Sequence, residues 1–307
     1  MAADDANGSA AGWAVAQSAA AAAARCFGGR LRSVYALGSL AHGGFCPLVS
    51  DVDVAIVLTG RGADAGPGAD AGPGAGPGDW DRVRVAALAR MIRWSRAPLA
   101  GRLSLFWGTA DSIAGHAPGG RFPALDRLDL IRHGVLIRGD DIRAGLPEPS
   151  HEDLVVGTAG FAIRMLAAPD RRREIIDARY TAALGPRAAS KVALFPVRFL
   201  LTARTGLIGE NEAAVSHYLG ITPAGPTAEL ARAGLRWRTQ WSDQDRASAV
   251  GLLDAGAVAL YQEFAAEYAA RLRAMGRTRL AGDLSDRVAR AARAALLSSG
   301  AAPPGGG

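Results

Sequence analysis

Residues 34–58, VYALGSLAHGGFCPLVSDVDVAIVL, decide how the rest of the chain is read. The order is an apolar strand, a tight Gly-Ser turn, one short helical turn, a loop and a second strand. Tyr35 to Leu37 is apolar and stops at Gly38, where a backbone without a Cβ can turn sharply or approach a ligand. Ser39 follows with a hydroxyl and a backbone N–H, and eleven residues separate it from Asp51. Asp51 and Asp53 then alternate with Val52, Val54 and Ile56. On a strand, positions i and i+2 share a face, so both carboxylates point one way while the β-branched residues point into a core. Like charges held side by side repel and are costly to desolvate. A divalent cation relieves both costs, and carboxylate oxygens suit Mg²⁺ bound together with phosphates.

Gly38-Ser39, the spacer, Ser50-Asp51-Val52-Asp53 and the apolar tail resemble the signature of the DNA polymerase beta-like nucleotidyltransferase superfamily. Within it the likeness is to bacterial aminoglycoside adenylyltransferase-like proteins. The resemblance implies a nucleotidyltransferase domain of the α/β (α+β) class with a small mixed sheet, followed by an all-α helical domain. It implies that Gly38, Ser39 and Ser50 lie on the nucleotide, and that Asp51 and Asp53 are catalytic, holding two Mg²⁺ ions. It also implies a basic residue from the helical domain on the triphosphate. Lys191 is the candidate, as the single lysine beside 34 arginines. The family places a third carboxylate on its third strand. In the segment RLSLFW, Arg102 to Trp107, that position falls on Ser104. A neutral hydroxyl is a poor general base at pH 7, so the acid must come from Asp111, Asp126, Asp129 or Glu174, from the substrate itself, or activity is lost.

The composition bounds the rest. At 307 residues, 49% hydrophobic and 21% charged, the chain has the make-up of a globular protein with room for two domains. Cys26 and Cys46 are too few for a disulfide framework, which suits a reducing cytoplasm. No apolar run reaches the roughly 18 residues of a membrane span, and Asp4 and Asp5 argue against a secretory signal. The net charge of +6 is localised. Residues 271–293 carry seven arginines against Asp283 and Asp286. No aromatic-interleaved basic stripe accompanies them, so a solvated helix face is expected rather than a nucleic-acid site.

Along the chain, residues 10–26 read as a helix ending at Gly28-Gly29. The run 60–79 repeats ADAGPG at 63–68 and 69–74 and is expected to be a disordered insert. Trp80 to Arg96 is amphipathic, with Val83, Ala87, Met91 and Trp94 at helical spacing. A helix at 123–133 and a strand at 135–137 lead into RGDDIR, a segment also found near the end of the catalytic domain in small bacterial relatives. The catalytic domain is therefore drawn at 1–145. After the Pro-rich segment GLPEPS, the helical domain is drawn at 150–298 and a disordered tail at 299–307. Its helices are expected at 151–168, 170–184, 187–205, 210–219, 226–238, 244–274 and 283–297. Within it, residues 191–220 resemble, more loosely, the helical domain of the adenylyltransferases.

The expected function is transfer of a nucleoside monophosphate, AMP first, from a nucleoside triphosphate to a hydroxyl of a small acceptor with Mg²⁺. The alternative is a binding or regulatory module on the same fold without turnover. An aminoglycoside acceptor, a polycation, would favour an acidic cleft. Glu148, Glu152, Asp153, Glu174, Asp177, Glu210 and Glu212 could supply one, with Arg171 to Arg173 opposing.

Overall fold

The computed structural model describes residues 2–60 and 79–298. The repeat at 61–78 and the tail after 298 lie outside the described residues. The chain divides into two compact units, Met1–Pro149 and Ser150–Gly307.

The first unit is built on a four-stranded mixed sheet in the order β3-β2-β1-β4. The strands are β1 (Leu31–Leu37), β2 (Val52–Leu58), β3 (Leu103–Thr109) and β4 (Val135–Gly139). β1 runs antiparallel to β2 and β4, and β2 runs parallel to β3. β1 and β2 are central, which is why both read as nearly continuous apolar runs. One sheet face, with Val34, Ala36, Val54, Ile56 and Leu105, packs against α1 (Ala2–Phe27) and α3 (Asp79–Arg93). α1 meets it through Val15, Ala16, Ala19, Ala20, Ala22, Ala23 and Phe27, and the small side chains let the helix approach closely. The opposite face, with Tyr35, Leu37, Ala55, Val57 and Phe106, packs against Ile113, Leu130, Ile142 and Leu146. Ile113 belongs to the short α4 (Ala110–Ala114) and Leu130 to α5 (Ala124–His133).

Three features hold this unit in register. Arg30 at the head of β1 makes a two-pronged pair with Asp81 at the start of α3, at 2.7 and 2.8 Å. That geometry raises the guanidinium's pKa through the hydrogen bond to Asp81. The outer edge of β3 is covered by Arg121, which exchanges both backbone hydrogen bonds with Trp107 and lays its guanidinium over Phe106. Tyr35, fully buried, anchors the segment after β4. Its hydroxyl accepts from the Ile142 N–H at 2.7 Å and stands 3.1 Å from the Asp140 carbonyl and the Asp141 carboxylate. Burial pushes this phenol's pKa up.

One sequence expectation for this unit reverses. On α3 the buried residues are Val85, Leu88, Ala89 and Ile92. Val83, Met91 and Trp94 are 53%, 56% and 72% exposed. Both sets recur at helical spacing. The set that faces the sheet is the one shared with Asp81, whose tie to Arg30 fixes the rotation of the helix.

The second unit is helical, consisting of α6 (His151–Ala167), α7 (Pro169–Ile176), α8 (Ala178–Leu184), α9 (Pro186–Thr205), α10 (Asn211–Ile221), α11 (Pro226–Arg236), α12 (Asp243–Ala274) and α13 (Thr278–Ser298). Two capping boxes start its helices, Ser150 with Asp153 and Ser242 with Asp245. The expected helix at 170–184 is broken at Asp177, whose side chain accepts from the Tyr180 N–H and starts a new helix. α9 continues through Pro196 to Thr205, and α13 begins five residues before the expected 283. The core is aromatic along α9 and α12: Phe199 packs on Phe264, and Phe264 on Tyr268, whose hydroxyl donates to the Phe199 carbonyl. Two arginines of the basic stretch are engaged inside this unit, Arg271 with Glu267 and Arg277 with Glu152. No described helix is long and apolar enough to cross a membrane.

Candidate functional site

The sheet converges on one glycine. Leu37 pairs with Asp53 across β1 and β2, so the chain leaves the sheet at Gly38 beside the start of β2. Gly38 sits at φ 61°, in the left-handed region that side chains disfavour. A Cβ placed there would stand 2.7 Å from Asp53 Oδ2, closer than real Cβ contacts come. The glycine is therefore required twice, by its backbone angle and by the carboxylate that fills the place of a Cβ. Ser39 follows in the single-turn helix α2 (Gly38–His42), which ends at a left-handed Gly43. Ser39, Asp51 and Asp53 are all half-buried.

Ser50 has a different place. It is 6% exposed, and its hydroxyl accepts from the Cys46 N–H at 2.9 Å while its own N–H donates to the Cys46 carbonyl at 2.8 Å. The Arg102 guanidinium also reaches the Pro47 carbonyl of this loop. Ser50 thus closes the loop that delivers Asp51, and its buried hydroxyl is turned to the protein rather than to solvent.

β3 carries Ser104 directly beside Asp53 in the parallel register, half-buried and on the same sheet face. No carboxylate occupies that position. Of the four acids that the sequence offered in its stead, Asp111 is exposed at the start of α4, and Glu174 lies in the second unit paired with Arg171 at 2.8 Å. Asp126 lies in the first turn of α5 and is half-buried. Asp129 reaches the turn. It is 7% exposed, and its Oδ2 accepts from the Gly38 N–H at 2.6 Å. One turn further along both helices, His42 and His133 stack edge-to-face with centroids 5.6 Å apart. Gly38 thus has the Asp53 carboxylate against its Cα and the Asp129 carboxylate on its N–H.

Asp51 and Asp53 supply hard oxygen donors at an accessible strand end. Among the described residues no group of three or more His, Cys, Asp or Glu side chains forms a ready-made metal cage. Two carboxylates nonetheless fit Mg²⁺, which takes one or two from the protein and fills its octahedron with water and phosphate oxygens. A structural ion of the calcium type, with six to eight oxygen ligands, would fit poorly.

Lys191 lies in the second unit, half-buried on α9. Several acids considered for a cationic acceptor are already matched by arginines. Glu148 pairs with Arg132, Glu152 with Arg277, Glu174 with Arg171 and Asp177 with Arg173. Arg171 and Arg173, expected to oppose a cation, are thus neutralised by neighbours within their own helical stretch. Asp153 is committed to capping α6.

No protein-family model matches the chain, and no curated protein matches it. Among solved structures, the chain is similar to a spectinomycin adenyltransferase from Enterococcus faecialis, determined with ATP and spectinomycin. The identity is 14% and the TM-score 0.46, over 75% of this chain and 92% of the other. Any functional reading must therefore come from the residues around Gly38.

Proposed function

We propose that this protein transfers a nucleoside monophosphate, AMP from ATP in the simplest case, to a hydroxyl of a small acceptor. The observation that carries the reading is the Asp53 carboxylate held on the Cα of a left-handed Gly38, with Asp51 two residues before it and Ser39 one residue after the glycine. In such a transfer the acceptor oxygen bonds to the α-phosphorus, the bond to the bridging oxygen breaks, and pyrophosphate leaves. Ser39 would hold a phosphate oxygen through its hydroxyl, and Gly38 lets the phosphate chain approach the backbone. Asp51 and Asp53 would hold Mg²⁺, which when bound neutralises charge on the phosphate oxygens. The residues' own contribution is positioning, which accounts for much of the rate in phosphoryl-type transfers.

The acceptor's proton needs a destination. Ser104 stands beside Asp53 where the resemblance implies a carboxylate, and Asp129 is buried behind the turn. That pairing supports a second reading, a module that binds a metal–nucleotide without turning it over. The two readings separate in one assay. The protein is incubated with α-labelled ATP, GTP, CTP or UTP, Mg²⁺ and a panel of aminoglycosides, small alcohols and cell extract. Labelled product from at least one combination is the expected result. Nucleotide binding with no labelled product under any condition would leave the binding module and remove the transferase.

A further inference from the structure

We propose that Asp129 is a positioning residue for the Gly38-Ser39 turn, a role that rests on the function proposed above. The usual third acid of such a site would sit on β3 and touch the metal or the acceptor. Asp129 comes instead from α5, it is 7% exposed, and among the described residues it does not complete a three-acid metal group with Asp51 and Asp53. Its Oδ2 accepts from a backbone donor 91 residues away in sequence, the Gly38 N–H.

The consequence is geometric. A left-handed glycine at the end of a strand has several accessible conformations. Here its N–H is held by a carboxyl oxygen at 2.6 Å, which is short for an N–H···O bond. Holding the N–H fixes the peptide plane before Gly38 and so the direction in which its Cα faces Asp53 Oδ2. The His42–His133 contact repeats the tie one turn later, four residues on in each helix, and keeps α2 and α5 aligned. α5 thus acts as a strut behind the turn. The Gly38 N–H is already occupied, which leaves the Ser39 hydroxyl and N–H as the turn's groups for phosphate.

The proposal separates hydrogen bonding from charge, and two variants test it. Asp129→Asn keeps an oxygen that can accept from Gly38 but removes the charge. Asp129→Ala removes the acceptor and leaves a buried N–H unsatisfied. The full chain is labelled with ¹⁵N-glycine, and exchange of the Gly38 amide is followed by NMR. Affinity for Mn²⁺ alone is measured by electron paramagnetic resonance, and for Mg²⁺–ATP by calorimetry. Asp129→Ala is expected to speed Gly38 exchange and to weaken Mn²⁺ binding by about ten- to a hundredfold, the usual effect of losing a group that orients a ligand. Asp129→Asn is expected to keep both within about threefold of wild type, because the hydrogen bond survives. Unchanged Mn²⁺ affinity in Asp129→Ala would overturn the role, whatever happened to the melting temperature. Should that variant not fold, loss of Mn²⁺ affinity in a folded Asp129→Asn would overturn it too, since charge rather than the hydrogen bond would then matter. If the wild type itself bound neither Mn²⁺ nor Mg²⁺–ATP, the proposed function would fall and this role with it. If the wild type bound both and the alanine variant matched it, only the role of Asp129 would fall.

Discussion

Asp53→Asn is expected to lower nucleotidyl transfer by at least about a hundredfold while leaving the protein folded, a loss on the scale of removing one preorganised electrostatic group. The side chain keeps its shape against Gly38, where its oxygen now lies, so packing is preserved. Only the charge goes. With Asp51 left as the single carboxylate of the pair, the site can no longer balance a cation against two like charges, and the cation's hold on the phosphates weakens. Removal of a like-charged neighbour also lessens repulsion, so the melting temperature of the metal-free protein is expected to stay level or rise. The readout is labelled product per unit time beside a melting curve. A variant that transfers nucleotide at the wild-type rate would remove Asp53 from the site.

Gly38→Ala is expected to damage both stability and transfer. A non-glycine residue in the left-handed region costs about 1–2 kcal/mol. The new methyl would also stand 2.7 Å from Asp53 Oδ2, and either that carboxylate or the turn must move. Displacement by about 1 Å in a reacting constellation can cost about a hundredfold in rate. Urea unfolding and the transfer assay should therefore both change. Were the loss confined to stability, the turn would be a fold element with no part in the chemistry. The pair of variants is informative because Asp53→Asn spares stability and Gly38→Ala does not.

The core of the candidate site could be drawn from the sequence because it is local. Gly38-Ser39 and the alternation Asp51, Asp53 lie within sixteen residues, and strand periodicity predicts both carboxylates on one face, although β2 begins only at Val52. The strand RLSLFW was also legible, and the resemblance put Ser104 at its third-acid position, which the structure pairs with Asp53. Long-range groups were not. Asp129 was one of four acids of equal standing in sequence, and only the return of α5 to the sheet brings it to Gly38. The i, i+4 spacing of Asp129 and His133, matched by Gly38 and His42, was the available hint. The burial of α3 was misread because the helix carries two apolar stripes. Both recur at helical period, and the part-buried ion pair of Asp81 with Arg30 lies on the stripe that faces the sheet. The one-turn α4 was missed because it is too short for periodicity, although its Thr109–Ser112 capping box could have marked it.

In the proposed function Asp51, Asp53 and the Gly38 turn bind a nucleotide together with a divalent cation. Calorimetric titration of the wild-type chain with ATP, GTP, CTP and UTP, each in Mg²⁺ and again in EDTA, provides the test. At least one nucleotide is expected to bind with Mg²⁺ and to lose about tenfold or more in affinity, roughly 1.4 kcal/mol, when the metal is chelated. Equal affinity in Mg²⁺ and EDTA for every nucleotide that binds, or no binding of any, would contradict it.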